Sequence, residues 1–309
     1  MLHWQESDGL IHIETPHLKA AVRTEGYVSG TMAGTLLDKK TGATDPSFGL
    51  HIMDFLLAPG WRDDAYHRDR LTHGNLPKHY VEGPQICTRA QKLEYTVISG
   101  ENHLALKQRF TFHQPGENYE AGSRWEQTLL FLPDTRYYLS CETITSANTV
   151  DDLFYRIDMP GHLKHDHGDT FHQIYLSYHG ITGHESFHAD FAPDDRFFYT
   201  RNDAQIPERF IRAHQLRASS APWLAGMTLD PSAPCEAWCH QRGYVCFIQE
   251  LHRRPVQKGE TIGAAYVVGY FDTIEDMNIT YDRYKGTNHI AVDKEQFALL
   301  NEIPYIMIT

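Results

Sequence analysis

Short runs of β-branched and aromatic residues, alternating with polar ones, recur along nearly the whole chain. LIHIE, LEYTVISG, HLALKQRFTFH, RWEQTLLFL, RYYLSCETIT, LFYRIDM, FHQIYLSYHG, RGYVCFIQEL and TIGAAYVVGYF are examples. Turn-forming groups separate them, among them Asp38-Lys39-Lys40-Thr41-Gly42, Pro115-Gly116-Glu117-Asn118 and Lys258-Gly259-Glu260. So many strands without long amphipathic helices between them predict an all-β chain, a large antiparallel two-sheet β-sandwich with few short helices. The segment from Arg124 to Thr145 reads as a hairpin turning at Pro133-Asp134-Thr135. Two short helices are expected, one over 207–216 with Pro207 in its first turn, the other over 273–277.

Periodicity fades between about Leu50 and Cys87, where polar and aromatic residues crowd together. Such an irregular stretch predicts a site-forming loop region over 50–87. With no internal repeat, low-complexity tract or linker in view, residues 1–309 are expected to form a single domain.

The 309 residues are 41% hydrophobic and 22% charged, an ordinary globular mix. A formal charge of −12 argues against nucleic acid as a partner, because phosphate binding needs a basic footprint. No stretch approaches 18 consecutive apolar residues, so no membrane span is expected. The N-terminus lacks the pattern of a secretory signal. Five cysteines, an odd number in no disulfide framework, fit a reducing, cytoplasmic setting. The spacing of Cys235, Cys239, His240 and Cys246 is a poor match to structural zinc, and Cys246 reads as a strand position.

The opening LIHIETPHLKAAVRTEGYVSGTMAGTLLDKKTGAT, a strand pair with an internal glycine ending in Leu37-Asp38-Lys39-Lys40-Thr41-Gly42, resembles the first hairpins of galactose-mutarotase-like β-supersandwich domains. Glu250-Leu251-His252-Arg253-Arg254-Pro255, then Lys258-Gly259-Glu260-Thr261 and a long apolar strand, are similar to the closing strands of those domains. The resemblance covers about a quarter of the chain directly. It implies a supersandwich-like fold and a role on carbohydrates, as in aldose epimerases, glycoside hydrolases and polysaccharide lyases. The Asn-His-Pro segment common in aldose epimerases is absent, a departure that weighs against mutarotation.

Three groups of residues carry candidate chemistry. Seven of the 20 histidines lie between His162 and His188, and His165 and His167 share a face if extended. Imidazole suits proton transfer near neutral pH or metal binding, with His172, His79 or Glu126 as a further ligand. The bland reading is a polar surface hairpin. The second group lies on 61–82, where Trp61 could stack on a sugar, Arg62 could grip a carboxylate, and His79 and Tyr80 could move protons. Arg–Asp pairs holding a surface loop would explain it equally. The third comprises Arg124 and Glu126 on one strand face, Arg156 inside an apolar strand with Asp158 as a structural partner, and Tyr175.

These types fit a carbohydrate-active enzyme, foremost a lyase cleaving a uronic-acid-containing oligosaccharide by β-elimination. His79, Tyr80, Glu126, His165 and His167 are its acid–base candidates. Trp61, Arg62, Arg124, Arg156, His162 and Tyr175 are its substrate-binding candidates. A glycoside hydrolase would use Glu126 with Asp166 or Asp169. A non-catalytic sugar-binding or structural sandwich and a metal-dependent sugar-modifying enzyme are the competing classes. No motif calls for ATP, NAD or a serine nucleophile, and a divalent metal stays open as a cofactor. The expected partner is a saccharide or small acidic substrate, with a homo-oligomer also open.

Overall fold

A computed structural model describes residues 2–60, 77–86, 92–165, 170–192, 195–218 and 220–304. Its architecture is all-β, built on two large antiparallel sheets. The nine-stranded sheet runs, in spatial order, Gly180–Gly183, Phe171–Leu176, Ile211–Leu216, Trp223–Thr228, Thr261–Phe271, Tyr137–Thr145, Arg124–Phe131, Leu104–Thr111 and Glu94–Ser99. The seven-stranded sheet runs Tyr199–Thr200, Pro234–Gln241, Val245–Val256, Val150–Leu163, Ile52–Pro59, Lys78–Gly83 and Gln114–Pro115. A four-stranded sheet from His3 to Asp38 and a two-stranded hairpin, His289–Val292 with Phe297–Leu300, complete the described strands. The hairpin expected at 133–135 is present, with Phe131 opposite Tyr138.

The two large sheets share one core. Leu106, Leu129, Tyr138 and Val268 from the nine-stranded sheet pack with Met53, Leu56, Tyr155, Ile157 and Leu251 from the seven-stranded one. Polar links cross it as well, among them Thr228 Oγ1 donating to Gln249 Oε1 at 2.8 Å. Tyr155 and Tyr266 join hydroxyls at 3.1 Å. Arg212, fully buried, donates to the carbonyls of Ile248 at 2.7 Å and Met159 at 2.5 Å.

The outer face of the nine-stranded sheet is apolar as well. It is covered by the helix Ile274–Tyr284 through Met277, Tyr281 and Tyr284, and by Ile290 of the hairpin. That helix starts in a capping box: Thr273 Oγ1 accepts from the Asp276 amide at 3.0 Å, and the Asp276 carboxylate accepts from the Thr273 amide at 3.1 Å. The expectation of a turn or two over 273–277 thus underestimated it.

Residues 211–216, expected as helix, form a strand. Ile211 and Ala213 pack under the outer cover while Arg212 and His214 are buried on the opposite face. With both faces buried, period two prevails over the helical signal around Pro207. The stretch 50–87 likewise supplies two strands, Ile52–Pro59 and Lys78–Gly83, whose burial on both faces hides the alternation that sequence reading relies on.

One irregularity positions the site. Asp158 pairs with Ile248 and His162 with Cys246, so three residues stand opposite one and the strand Val150–Leu163 bulges. Gly161 sits there at φ +86°, and a Cβ on it would lie 2.2 Å from the Gly49 carbonyl. Amide–carbonyl bonds from Phe48 to His162 at 3.0 Å and from His162 to Gly49 at 2.9 Å fasten the bulge. Gly161→Ala is therefore expected to lower stability by roughly 1–3 kcal/mol or more, read as a shift in the denaturant midpoint.

Candidate active site

Each strand at the centre of the seven-stranded sheet puts apolar side chains into the shared core at alternate positions, so the positions between face the other way. In these otherwise apolar strands several of those intervening positions are charged. Asp54 follows Met53, Arg156 and Asp158 flank Ile157, and Glu250 precedes Leu251. Lys78 and Glu236 join them from neighbouring strands, and all six are almost completely buried.

Glu250 is the hub. It stands directly opposite Arg156 in the ladder. Arg156 donates to its Oε1 from NH2 at 2.7 Å and from Nε at 3.2 Å, and Lys78 Nζ reaches its two oxygens at 2.8 and 2.7 Å. Glu236 lies 3.7 Å from Lys78 Nζ. Trp238 backs both cations, its ring 5.1 Å from Lys78 Nζ and 5.5 Å from Arg156 Cζ. Burial lowers the Lys78 pKa against the pull of Glu250. It works against charge on Arg156 too, but Glu250 and Asp54 raise that pKa on balance. The indole Nε1–H of Trp238 is buried without an acceptor among the described residues.

Beside this hub, His162 Nε2 bonds Asp158 Oδ2, a contact the bulge creates by bringing residues four apart side by side. Phe48 and Tyr244 enclose the imidazole, each 5.2 Å away ring to ring. Burial alone would lower the His162 pKa, but the charge of Asp158, its hydrogen bond and Asp54 outweigh it and raise the value. Gln85 donates to Asp54 Oδ1. Burial above all, then repulsion from Asp158, pushes the Asp54 carboxyl up to about 7. Asp54 therefore keeps its proton up to near-neutral pH. Asp158 Oδ1 has no hydrogen-bond partner among the described residues.

Of the residues singled out from sequence, Arg156 and His162 stand in this cluster, and Tyr80 borders it, packing edge-on to Phe55 at 4.6 Å. His79 points to the other side of its strand, bonding the Gly60 carbonyl at 2.9 Å and the Tyr119 hydroxyl at 3.2 Å. Arg124, Glu126 and Tyr175 belong to the nine-stranded sheet. Arg124 is exposed, Glu126 accepts from Arg109 Nε at 2.6 Å, and Tyr175 packs at the margin of the outer cluster. His165 stands apart from this cluster, stacked on Phe171 at 3.9 Å. Trp61, Arg62, His167, Asp166 and Asp169 lie outside the described residues. Cys235, Cys239 and Cys246 pack in three different apolar clusters, so they do not converge on one ion.

Asp54 and Glu236 escaped sequence reading, and Glu250 was read only as part of a closing-strand pattern. The signal available was a lone charge inside an apolar strand, as in HIMDFLLAP, PCEAWC and VCFIQEL. Clefts of about 430 and 500 Å³ open beside Arg136 and Asp272 and along 257–261. Neither is lined by the charged cluster, so buried chemistry and not cleft size marks the site.

No family model and no curated protein sequence matches this chain. Similar solved structures include the 4-α-glucanotransferase of Thermococcus litoralis, 12% identical at a TM-score of 0.40, covering 88% of this chain and 39% of that one. The galactose 1-epimerase of Lactobacillus acidophilus NCFM is 9% identical at 0.45, with 88% and 98% covered. The heparan sulfate lyase HepC of Pedobacter heparinus is 10% identical at 0.39, with 88% and 37% covered. The chain thus spans about two fifths of the glucanotransferase and of the lyase. Likenesses of this size carry no argument for an activity, which rests on the residues themselves. No helix among the described residues is long and apolar enough to cross a membrane.

Two stability measurements check this electrostatic account. Glu250→Gln leaves two cations without their shared anion and is expected to cost about 3–5 kcal/mol in equilibrium unfolding. Asp54 binds a proton when folded that it releases when unfolded, from its ordinary carboxylate pKa up to about 7. Stability therefore falls as pH rises through that window and levels off above it. Asp54→Asn, which keeps the acceptor for Gln85, is expected to raise the thermal midpoint more at pH 8 than at pH 5.

Proposed function

We propose that this protein is an acid–base enzyme acting on a neutral sugar, moving protons at its anomeric centre. The observation that carries the proposal is the Asp54 carboxyl, held protonated up to about pH 7 by burial and by the charge of Asp158. It lies in one buried patch with an Asp158 oxygen that has no hydrogen-bond partner among the described residues.

In this reading the protonated Asp54 is the acid and the free Oδ1 of Asp158 is the base. As Asp158 takes the proton of the anomeric hydroxyl, Asp54 gives its own to the ring oxygen. The ring C–O bond breaks and the anomeric carbon becomes an aldehyde. Re-closure on either face returns both protons and inverts the anomer or restores it. His162 positions Asp158 through Oδ2 and leaves Oδ1 toward the substrate. Trp238 offers its Nε1–H, which has no acceptor among the described residues, to a sugar hydroxyl.

β-Elimination from a uronic acid fits less well. It calls for a cation free to hold the carboxylate and the developing enediolate. Among the described residues of the cluster, Lys78 and Arg156 are both committed to Glu250, with Glu236 close by. Among the described residues two cations thus face two glutamates, with no positive surplus there for an acidic sugar.

Exchange between α and β anomers of a panel of free aldoses, followed by polarimetry and NMR, tests the proposal. Acceleration of at least one aldose is expected, with kcat/KM falling as pH rises through about 7, where Asp54 loses its proton. Asp54→Asn and Asp158→Asn are each expected to slow it about 10²–10⁴-fold. Release of unsaturated uronate, seen by its ultraviolet absorbance, with no anomer exchange would restore the elimination reading and refute this one.

A further inference from the structure

Away from that cluster, three imidazoles converge on one point. The chain passes from the strand Val150–Leu163 to His165, while His184 and His188 flank a single 3₁₀ turn, His184–Phe187. Phe187, fully buried, anchors that turn among Phe171, Phe191 and Phe197. His165 stacks on the same Phe171 at 3.9 Å. One aromatic floor therefore supports both segments. The ring centroids of His165 lie 6.2 Å from those of His184 and His188, and the latter two are 4.8 Å apart. One nitrogen from each ring lies within 4.8 Å of the other two.

We propose that His165, His184 and His188 form a site for a divalent transition-metal ion of the zinc class, tying the end of the strand that carries Asp158 and His162 to the 184–188 turn. Three imidazoles and no carboxylate in the set select zinc, cobalt, nickel or copper over calcium and magnesium. Zinc–nitrogen bonds of about 2.0–2.1 Å in a tetrahedron put ligand nitrogens roughly 3.3 Å apart. His184 Nδ1 and His188 Nε2 are at 2.8 Å, sharing one hydrogen, so they separate slightly while His165 closes in. The ring that carries the shared hydrogen passes it to its far nitrogen, so both lone pairs meet the ion.

His165 is buried, His184 half-buried and His188 exposed, so the fourth position opens to solvent. This site does not depend on the proposed sugar chemistry, and its test needs no activity.

Untagged protein, stripped with a chelator and dialysed free of it, is titrated with Co²⁺ and the visible d–d absorption followed, with Zn²⁺ as competitor. One equivalent bound in tetrahedral or five-coordinate form, displaced by Zn²⁺, is expected. The double variant His184→Gln/His188→Gln, altered only at accessible side chains, is expected to weaken binding at least about a hundredfold with its circular dichroism unchanged. A second buried trio, Asp158, His162 and Cys246, is the rival location. Asp158→Asn is expected to leave the metal spectrum as it is. Absence of binding, binding that survives the double variant, or binding abolished by Asp158→Asn would each overturn the proposal.

Discussion

Glu250 sits between two cations in a place where a charge alone could not stay. Removing one carboxylate from water costs several kcal/mol even after the protein relaxes, and Arg156 and Lys78 face the same penalty. Their attraction offsets it only because the geometry is good: Arg156 lies directly across the ladder, and Lys78 reaches both carboxylate oxygens. That requirement fixes the spacing of three strands, Val245–Val256, Val150–Leu163 and Lys78–Gly83. It also fixes the face on which the remaining charges emerge. The ion group therefore acts as a template as much as a source of stability, and Trp238 is held against it by both cations.

Among the described residues Arg156 donates its hydrogen bonds to Glu250 and acts on Asp54 by its charge, while His162 is bonded to Asp158. The outcome is a carboxyl that keeps its proton close to neutral pH. The bulge at Gly161 completes the asymmetry, because in a regular strand Asp158 and His162 would stand too far apart for a direct bond. A backbone irregularity and burial thus leave the two aspartates unlike, Asp54 holding its proton to near-neutral pH and Asp158 bonded to His162.

The all-β class and the 124–145 hairpin were legible because alternation and turn chemistry are local properties. Where both faces of a strand are buried the alternation vanishes, so the sequence predicts helix at 211–216 and a loop region where the strands Ile52–Pro59 and Lys78–Gly83 stand. The candidate site was partly legible for a similar reason. Arg156 stood out as a charge in an apolar run, and His162 through the density of histidines. Glu250 did not reveal itself as a partner, because pairing across a ladder depends on register, and register is a long-range property. The bond between Asp158 and His162 was hidden too, since four residues apart on an ideal strand they do not touch.

The two sheets obey the same rule with different consequences. Each buries its inner face in the common core, and each also has a largely buried outer face. On the nine-stranded sheet that face is apolar and meets the helix Ile274–Tyr284, whose Met277, Tyr281 and Tyr284 fill it with side chains. On the seven-stranded sheet the equivalent positions hold Asp54, Lys78, Arg156, Asp158, Glu236 and Glu250. Apolar burial there would cost nothing in desolvation and would serve stability better. The fold instead carries a layer in which four carboxyls face two cations among its described members, next to an indole N–H and a carboxylate oxygen with no partner among them. A layer of that kind gains hydrogen bonds when a polyhydroxylated ligand meets it, whereas the helix-covered face has nothing left to gain. The difference between the two outer faces, more than any single residue, is why the chemistry is assigned to the seven-stranded sheet.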